Sequence, residues 1–320
     1  MKRIALLTSG GDAPGMNAAI RAVVRTAIYY GMEVFGVERG YAGLIEDTLI
    51  PMEMRSVSDI IQRGGTMLRT ARCMEMLTPE GREKAAATLK KHGIEGLVVI
   101  GGDGSFRGAK SLSENYGIHT IGIPGTIDND LEYTDYTLGF DTAVNTCLDI
   151  INKLRDTMTS HERISVVEVM GRHCGDIALY SGIASGAEII VVPEMPFDMQ
   201  EVVEKINRSR ANGKHSNIII VAEGVMSADE FAKQLQSLTS YSVKPTCIGH
   251  VQRGGSPTMA DRMLAAQLGN KAVRLLKDGI TNRVVGIRDN KIIDMDIIEA
   301  VSMKKTFNKE LYETLQMISM

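Results

Sequence analysis

The chain contains no tryptophan, and its aromatic residues together make up only 5% of the sequence. Such a chain offers few rings on which nucleic-acid bases could stack. Lysine and arginine (36) do not outnumber aspartate and glutamate (39), and the net charge is −3. Without an excess of positive charge, nucleic acid is not an expected partner, and any phosphate binding must come from local clusters.

Cysteine is also scarce. Cys73, Cys147, Cys174 and Cys247 stand alone, and none forms a CxxC pair. A chain of 320 residues with so few cysteines is not a disulfide scaffold, and buried free thiols in a reducing cytoplasm are the simplest interpretation. No run of about 18 apolar residues is present, and the apolar stretch after the first three residues is too short for a signal peptide. These absences predict a cytoplasmic protein without a membrane span.

What the sequence does contain is typical of a globular protein, with 44% apolar and 23% charged residues and a length that predicts about two domains. Short runs rich in valine and isoleucine alternate with helical patterns. The predicted strands are residues 3–8, 33–37, 97–100, 120–123, 164–169, 189–192 and 218–221. The predicted helices include residues 17–30, 79–91, 105–115 and 141–158. This alternation predicts an α/β fold with mostly parallel sheets, whose ligands lie at the carboxyl ends of the strands.

Two of the predicted strands run directly into glycine turns. Residues 10–15 (GGDAPG) follow the first strand and precede a helix, an arrangement that directs backbone N–H groups at an anion. The alternative is a plain tight turn. Residues 101–105 (GGDGS) follow the strand 97–100, and Asp103 among glycines suits Mg²⁺ held through a carboxylate. Here the alternative is that Asp103 only caps the next helix.

A third strand end carries two carboxylates. Residues 124–130 (PGTIDND) place Asp128 and Asp130 near a hydroxyl and an amide. One carboxylate can accept a proton from an attacking hydroxyl group while the other organises metal or water. The alternative is a structural Asx-turn, which this composition also suits. We expect the three glycine-containing strand ends to converge on one edge of a sheet, and this convergence favours a site over three independent turns.

Single basic residues follow or precede several strands. Arg72, Arg163, Arg172 and Arg253 suit bidentate recognition of phosphate, although for each taken alone a surface ion pair is the more common role. Other polar residues are ambiguous in the same way. Glu223 could bind a sugar hydroxyl or a helix N-terminus, His250 could be structural, and Arg21 with Arg25 could form a solvated helix face.

Six segments together resemble the bacterial ATP-dependent 6-phosphofructokinases. They are TSGGDAPGMNAAIR, GLVVIGGDGSF, PGTIDND, TSHERISVVEVMGRHCGD, IIIVAEG and GHVQRGGSP, in the order of the family and across nearly the whole chain. PGTIDND together with GGDGS is the most specific combination. The resemblance implies transfer of the γ-phosphoryl group of ATP to O1 of D-fructose 6-phosphate, a committed and allosterically regulated step of glycolysis.

The resemblance also implies roles for individual residues. Asp128 matches the proton acceptor, Thr126 and Arg172 match further catalytic positions, and Asp103 matches the Mg²⁺ position. The positions that match ATP contacts are Gly11, Arg72, Cys73, Gly102, Asp103, Gly104 and Ser105. The positions that match contacts to the sugar phosphate are Thr126, Ile127, Asp128, Met170, Gly171, Arg172, Glu223, His250, Val251, Gln252 and Arg253.

Rival interpretations are opposed by particular residues. Pyrophosphate-dependent relatives typically carry aspartate where Gly104 stands and lysine where Gly125 stands, so the two glycines favour ATP. A lipid or NAD kinase has a similar GGDG turn but lacks the segments that supply a sugar-phosphate site. A nucleotide-sensing paralogue without activity would be expected to have lost Asp128, Asp103 or Arg172, and all three are present.

The resemblance further implies a homotetramer. Arg163 and Lys244 match positions that reach the 6-phosphate from a neighbouring subunit, although the family has arginine at the second position. An effector site for ADP and phosphoenolpyruvate would lie between subunits. The positions that match it are Arg21, Ala22, Val23, Val24, Arg25, Arg155, Gly186, Ala187, Glu188, Lys214, His215 and Ser216. The family has Lys-Lys-His at 214–216, and Asn212 occupies an often basic position, so the response to phosphoenolpyruvate is expected to be weaker or altered.

The expected architecture consists of two three-layer α/β/α domains with mostly parallel sheets and the active site in the cleft between them. By resemblance, the ATP-binding domain comprises residues 1–138 and 251–301, and the fructose 6-phosphate-binding domain comprises residues 139–250 and 302–320.

Overall fold

The computed structural model describes residues 1–319, so Met320, the last residue of the predicted segment 302–320, lies outside the described residues. Residues 1–319 form eleven strands and eleven α-helices. The strands are β1 (Arg3–Thr8), β2 (Glu33–Val37), β3 (Leu49–Met52), β4 (Gly96–Gly101), β5 (His119–Pro124), β6 (Ile164–Val169), β7 (Ile189–Val191), β8 (Asn217–Ala222), β9 (Val243–Cys247), β10 (Arg283–Arg288) and β11 (Lys291–Asp296).

The helices alternate with these strands. They are α1 (Met16–Tyr29), α2 (Tyr41–Glu46), α3 (Pro79–Lys91), α4 (Asp103–Tyr116), α5 (Phe140–His161), α6 (Asp176–Ser185), α7 (Met199–Ala211), α8 (Ala228–Leu238), α9 (Met259–Lys277), α10 (Ile297–Ser302) and α11 (Lys309–Ile318). Short 3-10 helices span Glu75–Leu77 and Gly249–Arg253. The strands and helices predicted from the sequence are confirmed, and the bounds of β1, β2, β6 and α3 agree with the prediction. The start of α3 could be located from the sequence because two residues mark it. Thr78 caps the helix by accepting from the N–H of Gly81, and Pro79 occupies the first helical turn.

The chain divides into two compact units. Unit 1 comprises Met1–Ile127, Leu131–Thr142 and Arg253–Lys304, and unit 2 comprises Asp128–Asp130, Ala143–Gln252 and the segment that begins at Lys305. Both units are therefore discontinuous in sequence. The assignment of ATP to one of them and fructose 6-phosphate to the other stays a prediction.

Unit 1 is built on a seven-stranded sheet in the order β11-β10-β5-β4-β1-β2-β3. The five inner strands are parallel, and β3 and β11 pair antiparallel at the two edges. Alternate residues of each inner strand face opposite sides of the sheet. Ala5 and Leu7 point into a core shared with Leu44, Leu89 and Phe106 of α2, α3 and α4. α1 and α9 pack against each other, and α9 contacts β5.

Unit 2 contains a four-stranded parallel sheet in the order β7-β8-β6-β9. Ile219 of β8 packs with Phe231 of α8 and Ile206 of α7 in one core. α6 approaches the sheet so closely that a Cβ at Gly182 would collide with Ile190, which only glycine avoids. Helices flanking parallel-dominated sheets confirm the predicted α/β architecture. Within residues 1–319, no helix has the length and apolarity that a membrane span requires.

Candidate active site

The turn between β1 and α1 exposes backbone groups. Gly10 and Gly15 adopt φ angles of 88° and 103°, which side-chain-bearing residues rarely adopt. A Cβ at Gly11 would lie 2.6 Å from Nη1 of Arg253, and this guanidinium donates to the carbonyl oxygen of Asp12 over 3.1 Å. α1 has neither a side-chain cap nor an acidic residue in its first turn. The turn therefore combines an uncapped helix N-terminus with an arginine, which suits a phosphate group.

The second glycine turn links β4 to α4. Gly102 is the N-cap residue and Asp103 lies inside the first turn of the helix, so the alternative role of Asp103 as the cap is wrong. The Asp103 carboxylate accepts from Nε of Arg107 over 2.8 Å. A Cβ at Gly104 would meet no atom within 4 Å, whereas Ser105 is buried and accepts a hydrogen bond from the Tyr41 hydroxyl through its carbonyl oxygen. Burial raises the pKa of the Tyr41 hydroxyl, which therefore remains a donor.

The three glycine-containing strand ends lie on neighbouring strands. The N–H of Ser9 donates to the carbonyl oxygen of Ile100, and the N–H of Gly125 donates to that of Gly101, each over 2.9 Å. The order β5-β4-β1 within the sheet thus confirms that these ends converge on one edge. The hydroxyl of Thr137 donates to the carbonyl oxygen of Thr126 over 2.6 Å and fixes the loop after β5.

Three other predicted contacts of unit 1 differ in exposure. Thr70 donates through Oγ1 to the carbonyl oxygen of Gly10 over 2.8 Å, so the segment that leads to Arg72 and Cys73 is attached to the first glycine turn. The Arg72 side chain is exposed, and Cys73 is half-buried. Cys247 is exposed, so the prediction of buried thiols is confirmed for Cys147 and Cys174 and wrong for the other two cysteines. Ile127, in contrast, is fully buried, and its side chain belongs to the core.

Asp128, the predicted proton acceptor, belongs to unit 2. Its side chain is 2% exposed, and its Oδ2 lies 3.4 Å from Nε of Arg172. The next residue, Asn129, donates through Nδ2 to Asp176 over 2.9 Å, and Asp176 lies 3.2 Å from Nζ of Lys305. The residue that follows the buried Asp128 carboxylate is thus held in place by Asp176, which is itself paired with Lys305.

The loop after β6 presents Arg172. Gly171 and Arg172 adopt φ angles of 131° and 53°, two consecutive positive values. The N–H of Arg172 donates to Oε1 of Glu223 over 3.0 Å, and the N–H of Met170 donates to Oε1 of Gln252 over 3.0 Å. The predicted sugar-phosphate residues of β6, β8 and the 3-10 helix are therefore brought together at the carboxyl end of this sheet. His250 and Val251 are exposed there, whereas Gln252 is fully buried.

Arg163 and Lys244 lie at the opposite end of the same sheet. Arg163 directly precedes β6, and Lys244, at the start of β9, pairs in register with Ser165. Arg172 follows the other end of β6, and a strand of six residues spans about 20 Å. Within one chain, Arg163 and Lys244 therefore lie about the length of a strand away from Arg172.

The predicted effector residues fall into two groups. Arg21 and Arg25 lie on α1 in unit 1, where Val23 and Val24 are buried in the core and Ala22 packs near Gly269. The members that unit 2 brings together are Arg155, Gly186, Ala187, Glu188, Lys214, His215 and Ser216.

Glu188 organises this second group. Its carboxylate pairs with Lys214, lies 3.8 Å from Nη1 of Arg155, and accepts from the N–H of Ile218. Arg155 also donates to the carbonyl oxygens of Ser185 and Gly186. A cavity of about 500 Å³ lies alongside, lined by residues that include Glu188, Lys205 and Asn212. Arg155, Lys214 and Glu188 together carry one net positive charge, whereas the cavity is lined by three carboxylates, Glu188, Glu201 and Glu204, and two cations, Lys205 and Arg208.

Sequence reasoning missed the residues that support the site. Asp176 and Lys305 hold Asn129, and Glu194 accepts from the N–H of Gly175 over 2.8 Å. Asp176 is the last residue of the segment MGRHCGD, but an acidic residue that begins a helix is too common to be a signal. Lys305 lies in a stretch without any recognised pattern.

Comparison with known proteins gives consistent results. Residues 3–276 match the family model described as Phosphofructokinase. The chain is 61% identical over 319 residues to ATP-dependent 6-phosphofructokinase 1 of Clostridium perfringens, and 60% identical over 320 residues to ATP-dependent 6-phosphofructokinase of Thermoanaerobacter sp. (strain X514). In both cases the similarity covers 100% of each chain.

Solved structures agree. Phosphofructokinase from Saccharomyces cerevisiae is 38% identical with a TM-score of 0.92 over 98% of this chain, which spans 50% of the length of the yeast chain. Pyrophosphate-dependent phosphofructokinase from Marinobacter aquaeolei is 23% identical with a TM-score of 0.87, over 97% of this chain and 86% of that one, and this likeness concerns the fold alone. The chain belongs to the phosphofructokinase family.

Proposed function

We propose that this chain is an ATP-dependent 6-phosphofructokinase, which converts ATP and D-fructose 6-phosphate to ADP and fructose 1,6-bisphosphate. Relatives that are about 60% identical along their whole length bear that name. The observation that carries the chemistry is the buried carboxylate of Asp128 with the guanidinium of Arg172 3.4 Å away. A carboxylate for the proton and a cation for the phosphoryl group are what such a transfer requires.

In the proposed reaction, O1 of the sugar attacks the γ-phosphorus of ATP. The bond between that phosphorus and the β,γ-bridging oxygen breaks, ADP leaves, and the proton of the O1 hydroxyl passes to Asp128. Arg172 stabilises both the carboxylate and the negative charge on the transferring group. Thr126, two residues before Asp128, contributes its hydroxyl to the same loop. Because little covalent help is needed, positioning of these groups accounts for most of the rate.

ATP is proposed to bind at the glycine turns of unit 1. The N-termini of α1 and α4 direct amides at phosphate groups, and Arg72 and Cys73 lie on a segment attached to the first turn. Asp103 is the proposed Mg²⁺ residue. No cluster of three or more potential metal ligands occurs within residues 1–319, and one partly exposed carboxylate fits a cation held mainly by phosphates and water. Such a cation supplies charge neutralisation when the nucleotide binds.

The choice of ATP over pyrophosphate is proposed to depend on Gly104 and Gly125. The space around position 104 is open, so glycine leaves room for a nucleotide. A Cβ at Gly125 would lie 3.0 Å from Cγ2 of Ile100 and 3.1 Å from Cε of Met16, so a lysine would require the core to shift. Both observations support a site shaped for ATP.

A coupled assay of ADP release tests the proposal. The purified protein should turn over ATP with fructose 6-phosphate and should not use pyrophosphate in place of ATP. Asp128→Ala should lower kcat by about 100- to 10,000-fold, because a general base is lost, while KM for both substrates stays similar. Turnover of Asp128→Ala at the wild-type rate, or a preference of the wild type for pyrophosphate, would contradict the proposal.

A homotetramer is proposed because of Arg163 and Lys244, which lie at the far end of the sheet from Arg172. These two cations would complete the site of a neighbouring subunit. Arg163→Ala and Asp128→Ala subunits, each inactive alone, should regain activity when refolded together. In mixed oligomers, some sites then combine Asp128 of the Arg163→Ala subunit with Arg163 of the Asp128→Ala subunit. Absence of such recovery in verified mixed oligomers would assign Arg163 to its own subunit.

ADP and phosphoenolpyruvate are the proposed effectors, because Arg155 and Lys214 form a cationic cluster around Glu188. A cytoplasmic location follows from the proposed place in glycolysis and stays a prediction.

A further inference from the structure

Gln252 is a polar side chain that is fully buried in unit 2. Its Oε1 accepts from the N–H of Met170 over 3.0 Å and from the thiol of Cys147 over 3.4 Å. Its Nε2 donates to the carbonyl oxygen of Gly249 over 3.0 Å. One amide therefore joins three elements, namely the loop after β6, helix α5 and the 3-10 helix Gly249–Arg253.

A primary amide fits this position for a chemical reason. One end of the group must accept from an N–H while the other donates to a carbonyl oxygen. A leucine of similar size would remove the partner of both half-buried backbone groups, and an ionised glutamate would direct a second acceptor at the carbonyl oxygen of Gly249. The position therefore selects glutamine by its hydrogen-bond pattern and not by exposure to a ligand.

The amide holds a loop in an unfavourable conformation. Met170 is followed by Gly171 and Arg172, both with positive φ, and such backbone persists only where its surroundings determine it. Two side chains do so, because Gln252 holds the N–H of Met170 and Glu223 holds the N–H of Arg172. The loop between these two anchors ends at the guanidinium that faces Asp128.

We propose that Gln252 is a positioning residue for sugar-phosphate recognition, an inference that rests on the proposed function. Because its side chain is buried, it acts through the residues that it joins and not by contact with the sugar phosphate. It fixes Arg172 relative to His250. His250 lies two residues before Gln252 in the same 3-10 helix and is exposed. This role differs from the direct contact that the resemblance implies for position 252.

The first test separates positioning from a general loss of stability. Gln252→Leu should raise KM for fructose 6-phosphate by about tenfold or more and leave KM for ATP within about twofold, because Gln252 itself makes its hydrogen bonds within unit 2 and none to the glycine turns of unit 1. The melting temperature of the variant is measured in parallel to detect a general loss of stability. Calorimetry measures its affinity for fructose 6-phosphate directly. Wild-type KM for the sugar phosphate, or an equal rise in both KM values, would refute positioning.

The second test uses Gln252→Glu. A protonated glutamic acid reproduces the donor and acceptor of the amide, whereas the ionised form does not, and burial raises the pKa of a carboxyl group at such a position. The ratio of variant to wild-type KM for fructose 6-phosphate should therefore fall several-fold as the pH is lowered from about 8 to about 6. Gln252→Leu should show no such recovery.

Neighbouring groups do not mimic this result. Burial raises the pKa of the Cys147 thiol to about 12, so it stays protonated throughout the tested range. Arg253 and the exposed His250 are present in the variant and in the wild type alike, so the ratio of the two KM values cancels their contribution.

Gln236→Glu is the matched control. Gln236 also accepts from a backbone N–H, that of Val243, and donates to the carbonyl oxygens of Thr239 and Tyr241, but it is exposed. Its variant should show no dependence of the KM ratio on pH. A flat ratio for Gln252→Glu would refute the inference, whereas inactivity of the wild type with ATP and fructose 6-phosphate would refute the proposed function instead.

Discussion

Replacing Gly104 by aspartate should impair the use of ATP without unfolding the protein. A Cβ at this position meets no atom within 4 Å, so no neighbour must move. Gly104 also lies in the first turn of α4, where an acidic side chain interacts favourably with the helix dipole. Replacement of a helical glycine by aspartate also gains about 0.3 kcal/mol of helix propensity. The fold of Gly104→Asp should therefore be at least as stable as that of the wild type.

The expected defect is electrostatic. Two unit charges about 4 Å apart repel by about 1 kcal/mol in water and by about 4 kcal/mol at the effective dielectric of a protein surface. An intermediate penalty of about 2 kcal/mol corresponds to a rise of roughly 30-fold in KM for ATP. Gly104→Ala is the matched control, because it adds the Cβ without the charge, and it should keep KM for ATP within about threefold.

Steady-state kinetics with ATP and with pyrophosphate, together with melting temperatures, measure both effects. KM for fructose 6-phosphate should stay near the wild-type value in both variants. If Gly104→Ala impaired the use of ATP as strongly as Gly104→Asp, volume and not charge would be the cause. If neither variant affected ATP, position 104 would not face the nucleotide.

Three further predictions concern stability, substrate affinity and regulation. Burial raises the pKa of Cys147 from 9.0 to about 12, so its contribution to stability is complete below pH 9 and is lost as the pH rises. Between pH 9 and 12, the free energy of unfolding measured by urea denaturation should fall with pH less steeply in Cys147→Ser than in the wild type, by about 1.4 kcal/mol per pH unit. Equal slopes of this free energy against pH would contradict the prediction. Lys244→Arg should lower KM for fructose 6-phosphate a few-fold by restoring bidentate contact, and an unchanged KM would argue against a phosphate contact. Asn212 lines the cavity beside Glu188, and Asn212→Lys should strengthen inhibition by phosphoenolpyruvate in titrations at fixed fructose 6-phosphate. Unaltered inhibition would place the effector elsewhere.

Every inner strand except β10 could be predicted from the sequence because burial on both faces demands continuous apolar runs, and β10 begins and ends with arginine. β6 and β1 satisfy this rule, and both were located within their observed bounds. Edge strands obey no such demand, although the buried edge strand β7 was also predicted. β3 contains Pro51 and β9 contains Pro245, which an edge tolerates because one row of its backbone groups is unpaired. Apolar periodicity therefore could not locate them.

The candidate site was predictable only in part. Glycines after strands indicated where backbone would be exposed, and their convergence followed from the parallel topology. Contacts between side chains depend on tertiary structure, so nothing local indicated that Glu223 would hold the N–H of Arg172. Nor did any pattern indicate that Gln252 would be buried, because a polar side chain leaves solvent only where its hydrogen bonds are satisfied.

The position of β5 within the large sheet has a consequence for synthesis on the ribosome. One side of β5 pairs with β4, which precedes it closely, but the other side pairs with β10, in which Arg283 faces Ile121. More than 150 residues separate these partners in the chain. Until the last part of the polypeptide emerges, the nascent protein presents an unpaired parallel edge of the kind that promotes aggregation. Completion of this sheet is therefore a late event, and chaperones should engage the nascent chain before β10 is available.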